Sequence, residues 1–451
     1  MKLIEQANQT LQVKNPFRYK YHLAPNSGWS NDPNGLVFFK GYYHVFMQND
    51  PFSTYAKHIF WAHFISRDLI KWQQVDFALA PDQPYDADGC FSGSALVVEN
   101  KLVLAYAGHK KKKSTYQETI CLAESVDGIN FKKFAGNPLI LRNPNVNTKR
   151  FRDPKILEMD GLYFILVGGE SKDGRGQLLF YSSDNLYKDW HYFLKMINQS
   201  ADFGNMIECP DYFSCGVEKI IIGSPKGINT SEKKGFDSLY YMGDANRNNL
   251  PFGKKIDNGW DFYAPQTMYD PLKNRRILIG WLGLPIEQEK ERKYGYPNIG
   301  ALTIPREIKI KDDYILAKPI VEYKKLRKKK IEIVKLSQYS STSEFFFEKL
   351  PNVFSLKLFT SKAKYIVKYQ NKILTVTIND KLRKHVEKIE DIHEVINIDL
   401  YIDNGLTELF VNNGKFTFTN KCEFSTDTIK VNFISSDKMV GFNYELESIF
   451  E

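Results

Sequence analysis

The chain has 451 residues, of which 43% are hydrophobic and 14% aromatic, with a net charge of +9 and five cysteines. That length argues against a single domain, and 32 Phe with 26 Tyr favour strands over helices. No apolar run reaches membrane-spanning length, and the cysteines lack metal-ligand spacing, so a helical membrane protein and a zinc module are both disfavoured.

The N-terminal stretch through Gln9 is polar and has no apolar signal core, which predicts a reduced, cytoplasmic protein. Next comes Trp29-Ser30-Asn31-Asp32-Pro33-Asn34-Gly35, ahead of two apolar runs that flank the turn Lys40-Gly41. The runs predict a hairpin, and Pro33 puts Asp32 at a rigid strand start.

Four further hairpins follow. Ser92 to Val98 turns at Glu99-Asn100. Arg152-Asp153-Pro154 leads a strand that turns at Asp160-Gly161. Glu208-Cys209-Pro210 leads one that turns near Gly216, and Tyr263-Ala264-Pro265 leads one that turns near Lys273-Asn274. The spacing is roughly 55–60 residues, which suits a four-stranded sheet with loops, the unit of a propeller blade. Outer strands are expected from pairs such as Phe60–Ser66 with Ile70–Gln74, and Ile120–Ser125 with Ile129–Lys133. This predicts an all-β protein in which residues 1–310 form a five-bladed β-propeller. Residues 311–335 are expected as a linker, and the period-two strands of 336–451 as a C-terminal β-sandwich.

Inner strands of a propeller start around one channel, so Asp32, Asp153 and Glu208 should converge there, with Ser92 and Tyr263 or Ala264 completing the ring. Three gathered carboxylates repel unless chemistry or a metal needs them. A calcium or magnesium cage is the alternative, but Trp29, Phe91, Tyr263 and Trp281 suit stacking on a sugar ring. With Asn31, Gln48 and Arg152 as hydrogen-bond donors, the set points to glycoside hydrolysis, with no metal or cofactor expected. The basic runs Lys110–Lys113 and 324–330 come with no nucleic-acid motif. They read as solvated turns, or as attraction for an anionic, phosphorylated substrate.

Trp-Ser-Asn-Asp-Pro-Asn-Gly, Phe91-Ser92-Gly93-Ser94, Phe151-Arg152-Asp153-Pro154, Glu208-Cys209-Pro210-Asp211 and Asp261 to Gln266 resemble the signature blocks of glycoside hydrolase family 32. The resemblance covers nearly the whole chain and implies a five-bladed propeller followed by a β-sandwich. It implies that Asp32 is the nucleophile of a retaining β-fructofuranosidase, Glu208 the acid/base, and Asp153 the transition-state stabiliser beside Arg152. Trp29, Ser30, Asn31, Gln48, Trp61, Phe91, Ser92, Arg152, Tyr263 and Trp281 become the expected substrate-binding set. A retaining mechanism puts the carboxyls about 5–5.5 Å apart, and ionised Asp32 should raise the pKa of Glu208.

The implied substrate is sucrose 6-phosphate or sucrose, with fructan hydrolysis, fructosyl transfer, or a non-catalytic sugar-binding propeller as alternatives. No nucleic acid or membrane partner is expected, and a homo-oligomer is compatible with the sequence. Two departures bear on the pocket: Ser30 replaces a larger apolar residue, and Ala56, beside Tyr55, replaces a tryptophan common in the family. His63 and Trp61 could line the site or lie buried, and His109 has no partner pattern.

Overall fold

The computed structural model describes residues 2–12, 19–142, 147–196, 202–228, 235–243, 250–424 and 426–450. Among these, the strands group into five sheets over the first two thirds of the chain and two six-stranded sheets over the rest. Each of the first five sheets begins with a long inner strand: Gly28–Phe39, Gly89–Val98, Asn147–Met159, Met206–Cys215 and Phe262–Asp270. Consecutive inner strands neighbour one another, and the last packs against the first. Val45, Val103, Val167, Ile221 and Leu278 lie in continuous apolar runs of the second strands, buried between the sheets.

Closure comes from a short segment. Asn298–Ile299 pairs in parallel with Gly28–Trp29, while Ala301–Leu302 pairs with Trp281–Leu282. The chain after residue 290 therefore joins the first and fifth sheets. Two expected outer strands start later than predicted, because Ile70 lies in a turn and the strand begins at Gln73, whereas in the second sheet only Lys132–Lys133 pairs.

The expected linker 311–335 is corrected. Arg306–Lys311 and Tyr314–Pro319 form a hairpin that completes the fifth sheet, and Arg327–Glu332 pairs with the C-terminal strand Val440–Leu446. Only a short 3₁₀ turn, Val321–Leu326, joins them, held because Tyr323 and Leu326 are buried. Tyr314–Pro319 alternates between buried and solvent-facing residues, whereas Arg327–Glu332 lies on the sheet edge with its charged side chains exposed.

The two halves share a buried charged junction. Asp403 accepts from the backbone N–H groups of Lys20, Tyr21 and His22, while the His22 ring lies 3.0 Å from Asp403 and 2.9 Å from Glu408. Arg306 pairs with Asp257 at 2.7 Å and also with Glu408. Flanked by two carboxylates, His22 has its pKa raised to about 9 although burial alone would lower it.

Candidate active site

All five inner strands carry a bulge at the same level. Asn31 pairs with Gln48 but Pro33 with Met47; Phe91 pairs with Ala107 but Gly93 with Tyr106. The register likewise skips between Arg152 and Lys155, between Glu208 and Asp211, and between Tyr263 and Gln266. A bulge adds a residue to one strand and re-aims its neighbours. Asp153, Cys209 and Ala264 occupy these bulges at φ of 60°, 47° and 48°, an uncommon conformation for residues other than glycine.

The bulges create two rings. The bulged ring holds Asp32, Ser92, Asp153, Cys209 and Ala264. The residues immediately before it, Asn31, Phe91, Arg152, Glu208 and Tyr263, all line one cavity of about 360 Å³. Glu208 is therefore offset by one residue from the two aspartates. The three carboxylates still meet, because Asp32, Asp153 and Glu208 all line the same cavity.

Cys209 bridges the two aspartates. Its thiol lies 3.5 Å from Asp32 Oδ2 and 3.6 Å from Asp153 Oδ2, and its backbone N–H donates to Asp153 at 2.9 Å. Ser92 Oγ donates to Asp32 Oδ2 at 2.6 Å and in turn accepts from Gln48 Nε2. Arg152 contacts Glu208 directly and reaches both oxygens of Glu118 at 3.3 Å, and Tyr263 OH donates to Glu208 Oε2 at 2.8 Å.

These contacts set the protonation pattern. Burial raises Asp32 to about 6; the charge of Glu208 adds to this, while the Ser92 bond opposes it. Burial also raises Asp153 to about 7, with Arg152 opposing and Glu208 and Asp32 reinforcing. Glu208 moves the other way. Burial would raise it, but the positive charges of Arg152 and Lys226 outweigh that and lower it. The expectation that ionised Asp32 would raise Glu208 is thus corrected, because a guanidinium in contact outweighs a like charge farther off.

Of the expected binding residues, Trp29, Asn31, Gln48, Phe91, Arg152, Tyr263 and Trp281 line the cavity. Three do not. Ser92 is buried behind Asp32 and acts through it. Ser30 is buried with its hydroxyl on the Ile299 carbonyl at 2.9 Å, which fixes the closing strand. Trp61 is fully buried against Phe46 and Tyr106, its indole N–H on the Phe91 carbonyl, so it supports the wall from behind. His63 is likewise core, stacked 4.1 Å from Phe46.

The sequence reading missed His109, which stacks 4.2 Å from Phe91 at an interplanar angle of 6°, with Nδ1 3.5 Å from Glu118. It also missed Glu118, Lys57, Lys111 and Lys226, which line the cavity. Only the alternation of the strand Lys101–Lys112 could have signalled His109 and Lys111 on one face. Ala56 lines the cavity, whereas Tyr55 is exposed under the Arg292 guanidinium at 4.1 Å.

Four residues of the cavity lining have a buried polar atom with no hydrogen-bond partner among the described residues: Trp29 Nε1, Asn31 Oδ1, Trp281 Nε1 and His109 Nδ1, the last 3.5 Å from Glu118. Buried polar atoms are nearly always satisfied, so these residues keep unused hydrogen-bonding capacity in the cavity wall.

A family profile described as "Glycosyl hydrolases family 32 N-terminal domain" matches residues 22–319. The sucrose-6-phosphate hydrolase of Bacillus subtilis (strain 168) is 32% identical over 435 residues, spanning 89% of this chain and 88% of that protein. That of Vibrio alginolyticus is 31% identical over 421 residues, spanning 89% and 85%. Among solved structures, a GH32 beta-fructofuranosidase of Bombyx mori superposes with a TM-score of 0.86 at 27% identity, covering 99% of this chain and 97% of that one. A mutant of that protein was solved in complex with sucrose. This chain belongs to glycoside hydrolase family 32.

Proposed function

We propose that this protein is a retaining β-fructofuranosidase that releases fructose from sucrose 6-phosphate or sucrose in the cytoplasm. The observation that carries the reading is the convergence of Asp32, Asp153 and Glu208 on one cavity whose walls also carry Trp29, Asn31, Gln48 and Trp281. The sucrose-6-phosphate hydrolase relatives, aligned over most of the chain, support the substrate class. The five sheets are proposed as the blades of one propeller, followed by a β-sandwich, with the site at the channel mouth.

In the first step a carboxylate oxygen of Asp32 forms a bond to the anomeric carbon of the fructosyl unit. The bond to the leaving oxygen breaks as Glu208 donates a proton to it. In the second step Glu208 takes a proton from water, the water oxygen bonds to the anomeric carbon, and Asp32 is released as carboxylate. Asp153 and Arg152 hold sugar hydroxyls. Arg152 lowers the pKa of Glu208. A substrate that draws the guanidinium onto its own hydroxyls removes that charge and lets Glu208 carry the proton it must give.

The test is fructose release from sucrose and from sucrose 6-phosphate by wild type, Asp32→Asn and Glu208→Gln. Each variant is expected to lose about 10²-fold or more in kcat. Unchanged release by Asp32→Asn refutes the assignment.

A further inference from the structure

The lysine run Lys110–Lys113 sits where the second sheet rises past the cavity. Its two strands, Lys101–Lys112 and Thr115–Ser125, stay paired to the tip, Lys111 opposite Tyr116 and Lys112 opposite Thr115. Side chains alternate along a strand, so His109 and Lys111 share the face that lines the cavity while Lys110 and Lys112 turn away. Lys57 reaches the same wall from the first sheet. Its segment is fixed beside the second sheet by the parallel bridge of Ile59 with Gly89 and the Cys90 N–H bond to the Ile59 carbonyl at 2.9 Å.

Asp88 fixes the tip of the second sheet: its N–H donates to the His109 carbonyl at 3.1 Å and its Oδ2 accepts from the Lys111 N–H at 2.7 Å. That bond turns one carboxylate oxygen toward the backbone. Among the described residues, neither the Lys57 nor the Lys111 ammonium has a carboxylate within ion-pair distance, whereas the Arg152 guanidinium in the same cavity has three, Glu118, Asp153 and Glu208. Two exposed cations thus line the cavity with no carboxylate partner, the Lys57 ammonium lying 6.0 Å over the Tyr55 ring.

We propose that Lys57 and Lys111 form an anion subsite that recognises a phosphomonoester on the leaving sugar. The proposal rests on the fructofuranosidase reading and names what separates a phosphorylated substrate from a plain one. A phosphomonoester carries a charge of about −1.5 to −2 at neutral pH, which matches two ammonium groups. A neutral leaving sugar gains nothing from either lysine. The contacts would lie in high dielectric at the rim, so their contribution is modest and falls with salt.

The test measures kcat/KM for sucrose 6-phosphate and for sucrose with wild type and the double variant Lys57→Gln/Lys111→Gln, at low and at about 0.5 M salt. The expected result is a loss of roughly tenfold on the phosphorylated sugar in the variant, with sucrose within about twofold of wild type. High salt should narrow the wild-type preference and leave the variant's ratio unchanged. An equal loss on both sugars, or no loss on either, overturns the subsite while leaving the hydrolase reading intact. Wild type releasing fructose from neither sugar overturns the reading itself, and the subsite with it.

Discussion

Ser92→Ala removes one hydroxyl from the environment of Asp32 and also takes the acceptor from Gln48 Nε2, while Ser92 itself is buried and lines no cavity surface. In the wild type, burial and the charge of Glu208 hold Asp32 at about 6, and the 2.6 Å bond from Ser92 is the principal force opposing them. A hydrogen bond to an ionised group contributes about 1.5–3 kcal/mol, and each pKa unit is about 1.4 kcal/mol. Losing it raises Asp32 by about one to two units. A nucleophile must be ionised to attack, so the acid limb of the kcat/KM profile should move toward pH 7–8 by about the same amount. At pH 6 this amounts to a loss of about 5–50-fold, which shrinks toward wild type above about pH 8.5. Initial rates of fructose release from pH 4.5 to 9.5 measure it. An acid limb that stays in place, or shifts downward, refutes the role given to Ser92. Because the carboxyls are coupled, the limb reports the site as a whole, and its displacement is the quantity to compare.

Glu118→Gln leaves Arg152 with Glu208 and, at 4.0 Å, Asp153, and should destabilise the fold by about 1–3 kcal/mol in urea denaturation; an unchanged midpoint would show that Glu118 does not anchor Arg152. His22 is raised from 6.5 to about 9 by Asp403 and Glu408, so its stabilising contribution of about 3 kcal/mol is complete below pH 6.5 and fades as pH rises through 9. The stability gap between wild type and His22→Gln should therefore shrink by about that amount between pH 6 and pH 9.5, and a constant gap contradicts it. Gly93→Ala would put a Cβ 1.9 Å from the Ala105 carbonyl oxygen, where backbone must move. A cost of about 1–3 kcal/mol is expected, read as a lower Tm, and an unaltered Tm would mean the inner strand can shift without strain.

The hairpin repeat was legible because it is local: apolar runs, a short turn and, in four of the five hairpins, a proline at the strand start need nothing beyond neighbouring residues. The signature blocks around Asp32, Asp153 and Glu208 were legible for the same reason. The one-residue offset between Glu208 and the aspartates was not, because a bulge is a mismatch between two strands and appears only once both are paired. Trp61 and Ser30 carry the right chemistry for a sugar pocket, but which face of a strand meets the cavity depends on the sheets packed beside it. His109 and Lys111 reach the cavity only because the second sheet rises past its mouth. The sign of the Glu208 shift was likewise out of reach, since it depends on Arg152 and Lys226 arriving from two sheets at once. Sequence alone determined which residues could do the chemistry and the order of the strands that carry them. Tertiary structure decided which of those residues face the same space, and which charge dominates there, because electrostatic interactions fall off with distance in space and not with separation along the chain.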